Sequence, residues 1–389
     1  MKVAACTKGS GLSLAGAGLA GGIVLLAAAG GPAVAQGERR VIDGLAVETF
    51  ASGLSSPWGL AFLPGGGMLV TERPGRLRLV SAEGAVSAPI PGLPRIYASG
   101  QGGLLDVAID RNFVQNHTIY VCFADPVKGG GQTSLARARL DTEGSPRLSE
   151  VKTIFRQEGP PSSRNHWGCR IVQTPDGNLF LTTGDHSNHR DEAQKLTGHL
   201  GKVIRIAPDG SVPKDNPFVG RKDARPEIWS YGHRNMQGAA LHPQTGKLWI
   251  VDHGARGGDE INIPEAGKNY GWPVISYGVE YSGAKIGTGT RRAGMEQPLH
   301  YWDPSIAPSG MAFYTGDQFP DWRGNLFVGA LAGQALVRIE LDGEKVGKEH
   351  RLLRGLGQRI RDVRQGPDGA LWLLTDASNG RILRVTPAR

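Results

Sequence analysis

Past its first 35 residues the chain has no apolar run long enough to cross a bilayer, so no integral membrane segment is expected in the mature protein. Cysteine is scarce: three residues in 389, with Cys6 near the start. That excludes a disulfide-dense mini-domain and a cysteine-based zinc site. Cys122 and Cys169 could pair in an oxidising compartment, but sequence spacing does not show whether their Cα atoms come within range, and the question stays open. There is no Lys/Arg run and no basic stripe interleaved with aromatics, which argues against nucleic acid as a partner. The formal charge is +8, and Lys2 and Lys8 account for two of those charges, leaving +6. An excess of that size suits an ordinary solvated surface or an anionic ligand.

The first 35 residues read as a secretory signal. Lys2 and Lys8 give a basic start, Leu19–Ala29 is apolar, and Ala33–Ala35 offers small residues for cleavage. Cutting after Ala35 would leave Gln36 as the terminus of a periplasmic or secreted protein; an uncleaved anchor is the alternative. Residues 36–389 are then expected to form one domain.

Six copies of one short phrase set the architecture. Each is a Gly-, Pro-, Asp- or Asn-rich turn, an alternating apolar strand, and a small or acidic residue: Pro64–Glu72, Asn116–Asp125, Pro175–Asp185, Gln244–Asp252, Trp322–Ala330 and Pro367–Asp376. Their spacing, roughly 45 to 78 residues, suits one four-stranded blade per copy. The fold class is therefore all-β, a six-bladed β-propeller of four-stranded antiparallel blades.

In a propeller the inner strands line a channel, and loops at one end build a funnel. Three clusters flank such strands. In Arg164–Arg170 and Thr183–His186, His166 precedes a strand and Asp185 ends the next. The pair reads either as a tuned general base or as a hydrogen-bonded loop histidine. In Tyr231–Gly238, Asp252–Asn262 and Asn269–Pro273, Gly-rich turns expose carbonyls while Asp259 and Glu260 supply carboxylates. That is a donor set for calcium, or a set of solvated acidic turns. EF-hand spacing is absent, and His233, His242 and His253 lack zinc spacing. In Gln358–Arg364, alternation puts Arg359 and Arg361 on one face of an extended segment. They form either a carboxylate clamp or a pair bridging to acids on an adjoining blade.

In this order, on six repeats, the clusters resemble the soluble quinoprotein glucose and sorbosone dehydrogenase family, and within it the bacterial periplasmic aldose sugar dehydrogenases. The likeness runs from Leu54–Phe62 to Arg381–Val385 and is most specific at Gly100–Ala108, Glu227–Asn235, Gly257–Ile263 and Lys268–Pro273. It implies pyrroloquinoline quinone (PQQ) and calcium as cofactors, small aldose sugars as substrates and lactones as products. It makes His166 the base, oriented by Asp185, and Arg234 a stabiliser of charge on the quinone oxygen. Gln101, Arg234, Asn235, Tyr281, Ala330, Leu331, Ala332, Arg359 and Arg361 would surround the quinone. Carbonyls of Gly254 and Ala255 would hold the catalytic calcium, while the Glu260 carboxylate and the Tyr270 carbonyl would hold a more structural one.

Two positions depart from the family pattern: Ala255 stands where Pro is frequent, and Ala332 where Lys is common, which removes one cation. The acceptor downstream of the quinone is not named by the sequence, nor is the choice between monomer and homodimer. Two other functions remain open, a calcium-dependent propeller lactonase and a non-catalytic exported propeller that binds carbohydrate or protein.

Overall fold

The computed structural model describes residues 37–388 apart from 163; the secretory signal expected over 1–35 lies outside the described residues. Each repeat phrase folds as a hairpin turn followed by the second strand of a blade. At Pro175–Asn178 the Gly177 N–H donates to the Thr174 carbonyl at 2.9 Å, and Thr174 N–H donates to Asn178 at 2.8 Å. Gly177 has φ +88°, a conformation that glycine adopts without Cβ strain. The strand that follows, Leu179–Thr183, is buried on both faces.

Six antiparallel sheets result. The first holds Pro57–Phe62, Met68–Glu72 and Arg76–Val80, so this blade has three strands. Four strands each form the second (Leu104–Ile109 to Arg147–Arg156), third (Gly168–Gln173 to Ile228–Tyr231), fourth (Met236–Leu241 to His300–Trp302) and fifth blades (Pro308–Phe313 to Lys345–Leu352). The sixth has five. Ile360–Gln365, Leu371–Thr375 and Gly380–Pro387 are completed by Leu45–Leu54 and Arg39–Ile42 from the start of the domain. Leu45–Leu54 pairs with Gly380–Pro387 from Leu45 opposite Pro387 to Leu54 opposite Gly380, which fastens the ring.

The first strands of successive blades touch one another all round the ring. The core is divided correspondingly, with one apolar cluster at each blade interface. Phe180, Val203, Met236 and Ile250 fill the gap between the third and fourth blades, for example, and Trp372, Leu60, Met68 and Val70 that between the sixth and first. Each such side chain contributes about 1.5–3 kcal/mol by leaving water. A disulfide joins Cys122 in the second blade to Cys169 in the third, with Cα atoms 6.5 Å apart, which answers the question the spacing left open.

Four charged side chains close the axial channel. Arg170 lies 3.0 Å from both Asp106 and Asp362, and Arg364 lies 3.0 Å from the same two carboxylates. The Arg170 guanidinium also stacks 4.2 Å above the Trp58 ring. This square separates a polar cavity on one side from an apolar vestibule on the other, lined by Leu60, Phe62, Ile109, Leu241 and Phe313. Among the described residues no helix is long and apolar enough to cross a membrane.

Candidate active site

His166 sits immediately before the first strand of the third blade, in a left-handed conformation with φ +58°. The space for that turn depends on Gly184, where a Cβ would stand 1.9 Å from the His166 carbonyl oxygen. Its ring Nδ1 is 2.6 Å from Asp185 Oδ1, and its backbone N–H donates to Gln101 Oε1 at 3.0 Å. With Nδ1 engaged by the carboxylate, Nε2 is left to act on a substrate proton.

Burial and then the Arg234 charge hold the His166 pKa below the ordinary imidazole value of 6.5, against the opposing pull of Asp185. For Asp185, burial works against the charged form. The bond and charge of His166, the Arg234 charge and the Ser187 N–H outweigh it, so the carboxyl is held below its ordinary value. Both shifts favour a neutral imidazole beside a carboxylate near neutral pH.

Arg234 follows from the other side. Its backbone carbonyl accepts from Asp185 N–H at 2.8 Å, and its guanidinium donates to the His253 carbonyl at 3.0 Å. Its Nε is buried without a hydrogen-bond partner. Asp252, the repeat acid of the fourth blade, accepts the backbone N–H groups of Arg234 and Asn235 at 2.9 and 2.6 Å. Burial raises the Asp252 pKa to about 6.

Beside this group lies the axial cavity, of about 290 Å³, close to the lower end of the ~300–1,000 Å³ range of small-molecule sites. Of the residues expected round a quinone, Gln101, Asn235, Tyr281, Leu331, Arg359 and Arg361 line it. Tyr281 stands at the mouth, 74% exposed. Ala330 is fully buried at the end of its strand and Ala332 is exposed beside Leu331; neither lines the cavity, and nor do His166 and Arg234. His166 is tied to the wall through Gln101, and Arg234 through His253, which is itself a wall residue.

The wall also includes Trp58, Arg73, Gln237 and Asp376, which sequence reasoning did not single out, and His253, which it weighed only as a zinc ligand. Asp376 accepts from Arg359 Nε at 2.9 Å and lies 3.2 Å from Arg361 Nη2, while Arg361 Nη1 donates to Gln237 at 2.8 Å. The two arginines thus face the cavity and also bridge an acid, one on their own blade rather than an adjoining one. Asp376 was detectable in principle, because it ends a repeat phrase as Asp185 does.

A second, much smaller cavity of about 10 Å³, room for a single water-sized occupant, adjoins the first. It is lined by Gly254, Glu260 and Tyr270, together with Arg234, Asp252, His253 and Trp272. Ala255 is buried nearby and does not line it. Burial, with Asp252 and Asp259 as like-charged neighbours, raises the Glu260 pKa to about 8. Asp259 is occupied otherwise: it accepts from the N–H groups of Gly254, Ile306 and Ala307 and from the Ser305 hydroxyl, at 2.7 to 3.1 Å. Among the described residues no three His, Cys, Asp or Glu side chains converge on one point. A hard cation here would rest on one carboxylate and on carbonyl oxygens, a combination that calcium accepts.

Residues 54–384 match the family described as Glucose / Sorbosone dehydrogenase. The Escherichia coli aldose sugar dehydrogenase is 46% identical over 345 residues, 88% of this chain and 92% of the relative. Quinoprotein glucose dehydrogenase B of Acinetobacter calcoaceticus is 29% identical over 409 residues, 84% of each chain. Among solved structures, the apo form of the soluble E. coli aldose sugar dehydrogenase superimposes with TM-score 0.86, covering 88% of this chain and 99% of that one. The PQQ-bound aldose sugar dehydrogenase of Streptomyces coelicolor does so with TM-score 0.73 at 30% identity, covering 90% and 99%.

Proposed function

Because this chain belongs to the glucose and sorbosone dehydrogenase family and is an oxidoreductase, we propose that it oxidises aldose sugars at the anomeric carbon to lactones, with PQQ as hydride acceptor and calcium as a second cofactor. The observation that carries this reading is a histidine oriented by a buried carboxylate 2.6 Å away and tied by Gln101 to a guanidinium-lined cavity on the propeller axis.

The residues present fit both cofactors. Arg359, Arg361 and Arg73 on the cavity wall suit a polycarboxylate. The unpartnered Arg234 Nε and the half-buried Glu260, its pKa raised to about 8, are groups that an anionic ligand and a cation would satisfy. Once bound, the quinone supplies an electrophilic carbon that takes hydride, and calcium polarises its carbonyl.

The chain's own residues do the remainder. His166 Nε2 takes the proton of the anomeric hydroxyl, and Asp185 stabilises the imidazolium that forms. Arg234 places positive charge where negative charge develops on the acceptor. Gly254 and Ala255 carbonyls would hold the cofactor's calcium; Glu260 and the Tyr270 carbonyl would hold the other.

Reconstitution tests this. Apoprotein titrated with PQQ is expected to show a saturable absorbance change that requires calcium, and the loaded protein to reduce a dye on addition of an aldose. No calcium-dependent uptake of quinone, or lactone hydrolysis by quinone-free protein in place of sugar oxidation, would sink the reading. Residues 1–35 are proposed as the export signal of a protein whose single domain is 36–389. Mass spectrometry of the exported form is expected to find Gln36 at the N-terminus; a terminus at Met1 would contradict it.

A further inference from the structure

We propose that Trp272 is a positioning residue for the base, its indole N–H fixing the Asp185 carboxylate in the orientation that presents Oδ1 to His166. This rests on the reading of His166 as base. Trp272 Nε1 donates to Asp185 Oδ2 at 2.7 Å, while Oδ1 takes His166 Nδ1 at 2.6 Å and the Ser187 N–H at 2.7 Å. Asp185 is fully buried, so these donors set the torsion of its carboxylate. A lone donor to one oxygen would leave the plane free to turn; donors on both oxygens do not.

The indole is itself held. Trp272 N–H donates to Gly232 at 2.9 Å, and its carbonyl accepts from Gln194 Nε2 at 2.7 Å. Its ring packs with Ala193, Ala255 and Ile286 and lies 5.2 Å below the Arg234 guanidinium. One side chain therefore touches both the carboxylate that orients the base and the arginine that faces it from the other side.

The expected sign follows from charge. An N–H on Oδ2 draws off part of the carboxylate's negative potential; without it, Asp185 holds a proton on His166 more firmly. The other charged or titratable groups acting on the pair are Arg234, His186 and His253 near His166, and Arg190, Lys202 and Asp252 near Asp185. None of them is altered by Trp272→Phe, which keeps an aromatic ring and removes the donor.

In quinone-free Trp272→Phe protein, an NMR titration is expected to show the His166 pKa raised relative to wild type. In the reconstituted protein the acid limb of kcat/KM is expected to move the same way, kcat to fall about tenfold, and KM for the sugar to change less than twofold. In an Asp185→Asn background, Trp272→Phe should have no further effect on kcat, since the indole acts through that carboxylate. An unmoved His166 titration, or losses that multiply independently in the double variant, would reduce Trp272 to a space-filling side chain and overturn the proposal. A shifted titration in a protein whose wild type oxidises no sugar would leave the contact standing and overturn the catalytic reading instead.

Discussion

The third and sixth blades end the same repeat phrase on an aspartate, and the two aspartates do different work. Asp185 is fully buried, and its oxygens are taken by an imidazole, an indole and an amide. Asp376 lies on the wall of the axial cavity and is shared by two guanidinium groups. In the fourth blade Asp252 does a third thing, capping the backbone N–H groups of Arg234 and Asn235. The scaffold offers an acid at the same height in several blades. What it does is decided by the residues at or just before the start of the first strand of the same blade: His166, Arg234 with Asn235, or Arg359 with Arg361.

The largest expected break in this comparison is His166→Ala. Removing the base should lower kcat about 10²–10⁴-fold, with quinone affinity, read by absorbance titration, unchanged within about threefold. A comparable loss of affinity would place His166 with the sixth-blade residues instead. Next comes Asp106→Ala in the square that links Arg170 of the third blade to Arg364 of the sixth. Leaving the buried Arg170 and its half-buried neighbour Arg364 to share the single carboxylate of Asp362 should cost about 3–5 kcal/mol by denaturant unfolding, and a change below about 1 kcal/mol would show that the square adds nothing.

Arg361→Ala should act on loading and not on chemistry. Loss of one charge-assisted contact of about 1.5–3 kcal/mol corresponds to quinone binding roughly 10–150-fold weaker, with kcat at saturating quinone nearly unchanged. The smallest and sharpest effect is in pH. Since burial and Arg234 both disfavour the His166 imidazolium, the proposed base should take up its proton only below the ordinary 6.5. The acid limb of kcat/KM should therefore fall below pH 6.5; a limb above it would mean that Asp185 outweighs burial. The same sign holds for stability. A histidine whose folded pKa is depressed contributes stability present above 6.5 and lost as pH falls toward the folded value. His233 and His253, both lowered to about 3 by burial, add to that acid loss.

Much of the site was legible because its residues flank recognisable strands. His166 and Asp185 sit at the two ends of one hairpin, so their meeting is a local event, with Gly168 opposite Thr183 in the register. Arg359 and Arg361 were placed on one face by alternation alone. Asp376 was missed as their partner, although it lies in the same hairpin, because its repeat phrase read as architecture. Trp58 and Arg73 come from the first blade and Gln237 and His253 from the fourth, and no spacing along the chain links the two pairs. Asp259 looked like a cation ligand by composition. Its oxygens are instead used by N–H groups leading into the next blade, which only the packed structure brings near.

The sequence by itself determined the number of blades, the strand that each repeat phrase forms, and the family, because turn chemistry and side-chain alternation act over a few residues. The tertiary structure decided the closure of Leu45–Leu54 on Gly380–Pro387, the Cys122–Cys169 bond, and the charged square that floors the cavity. Those contacts join segments far apart in sequence, as where Leu60 N–H meets Asp362 Oδ2 at 3.2 Å. They exist because six apolar blade interfaces bend the sheets into a ring, and closing that ring is what brings the first strands together on one axis.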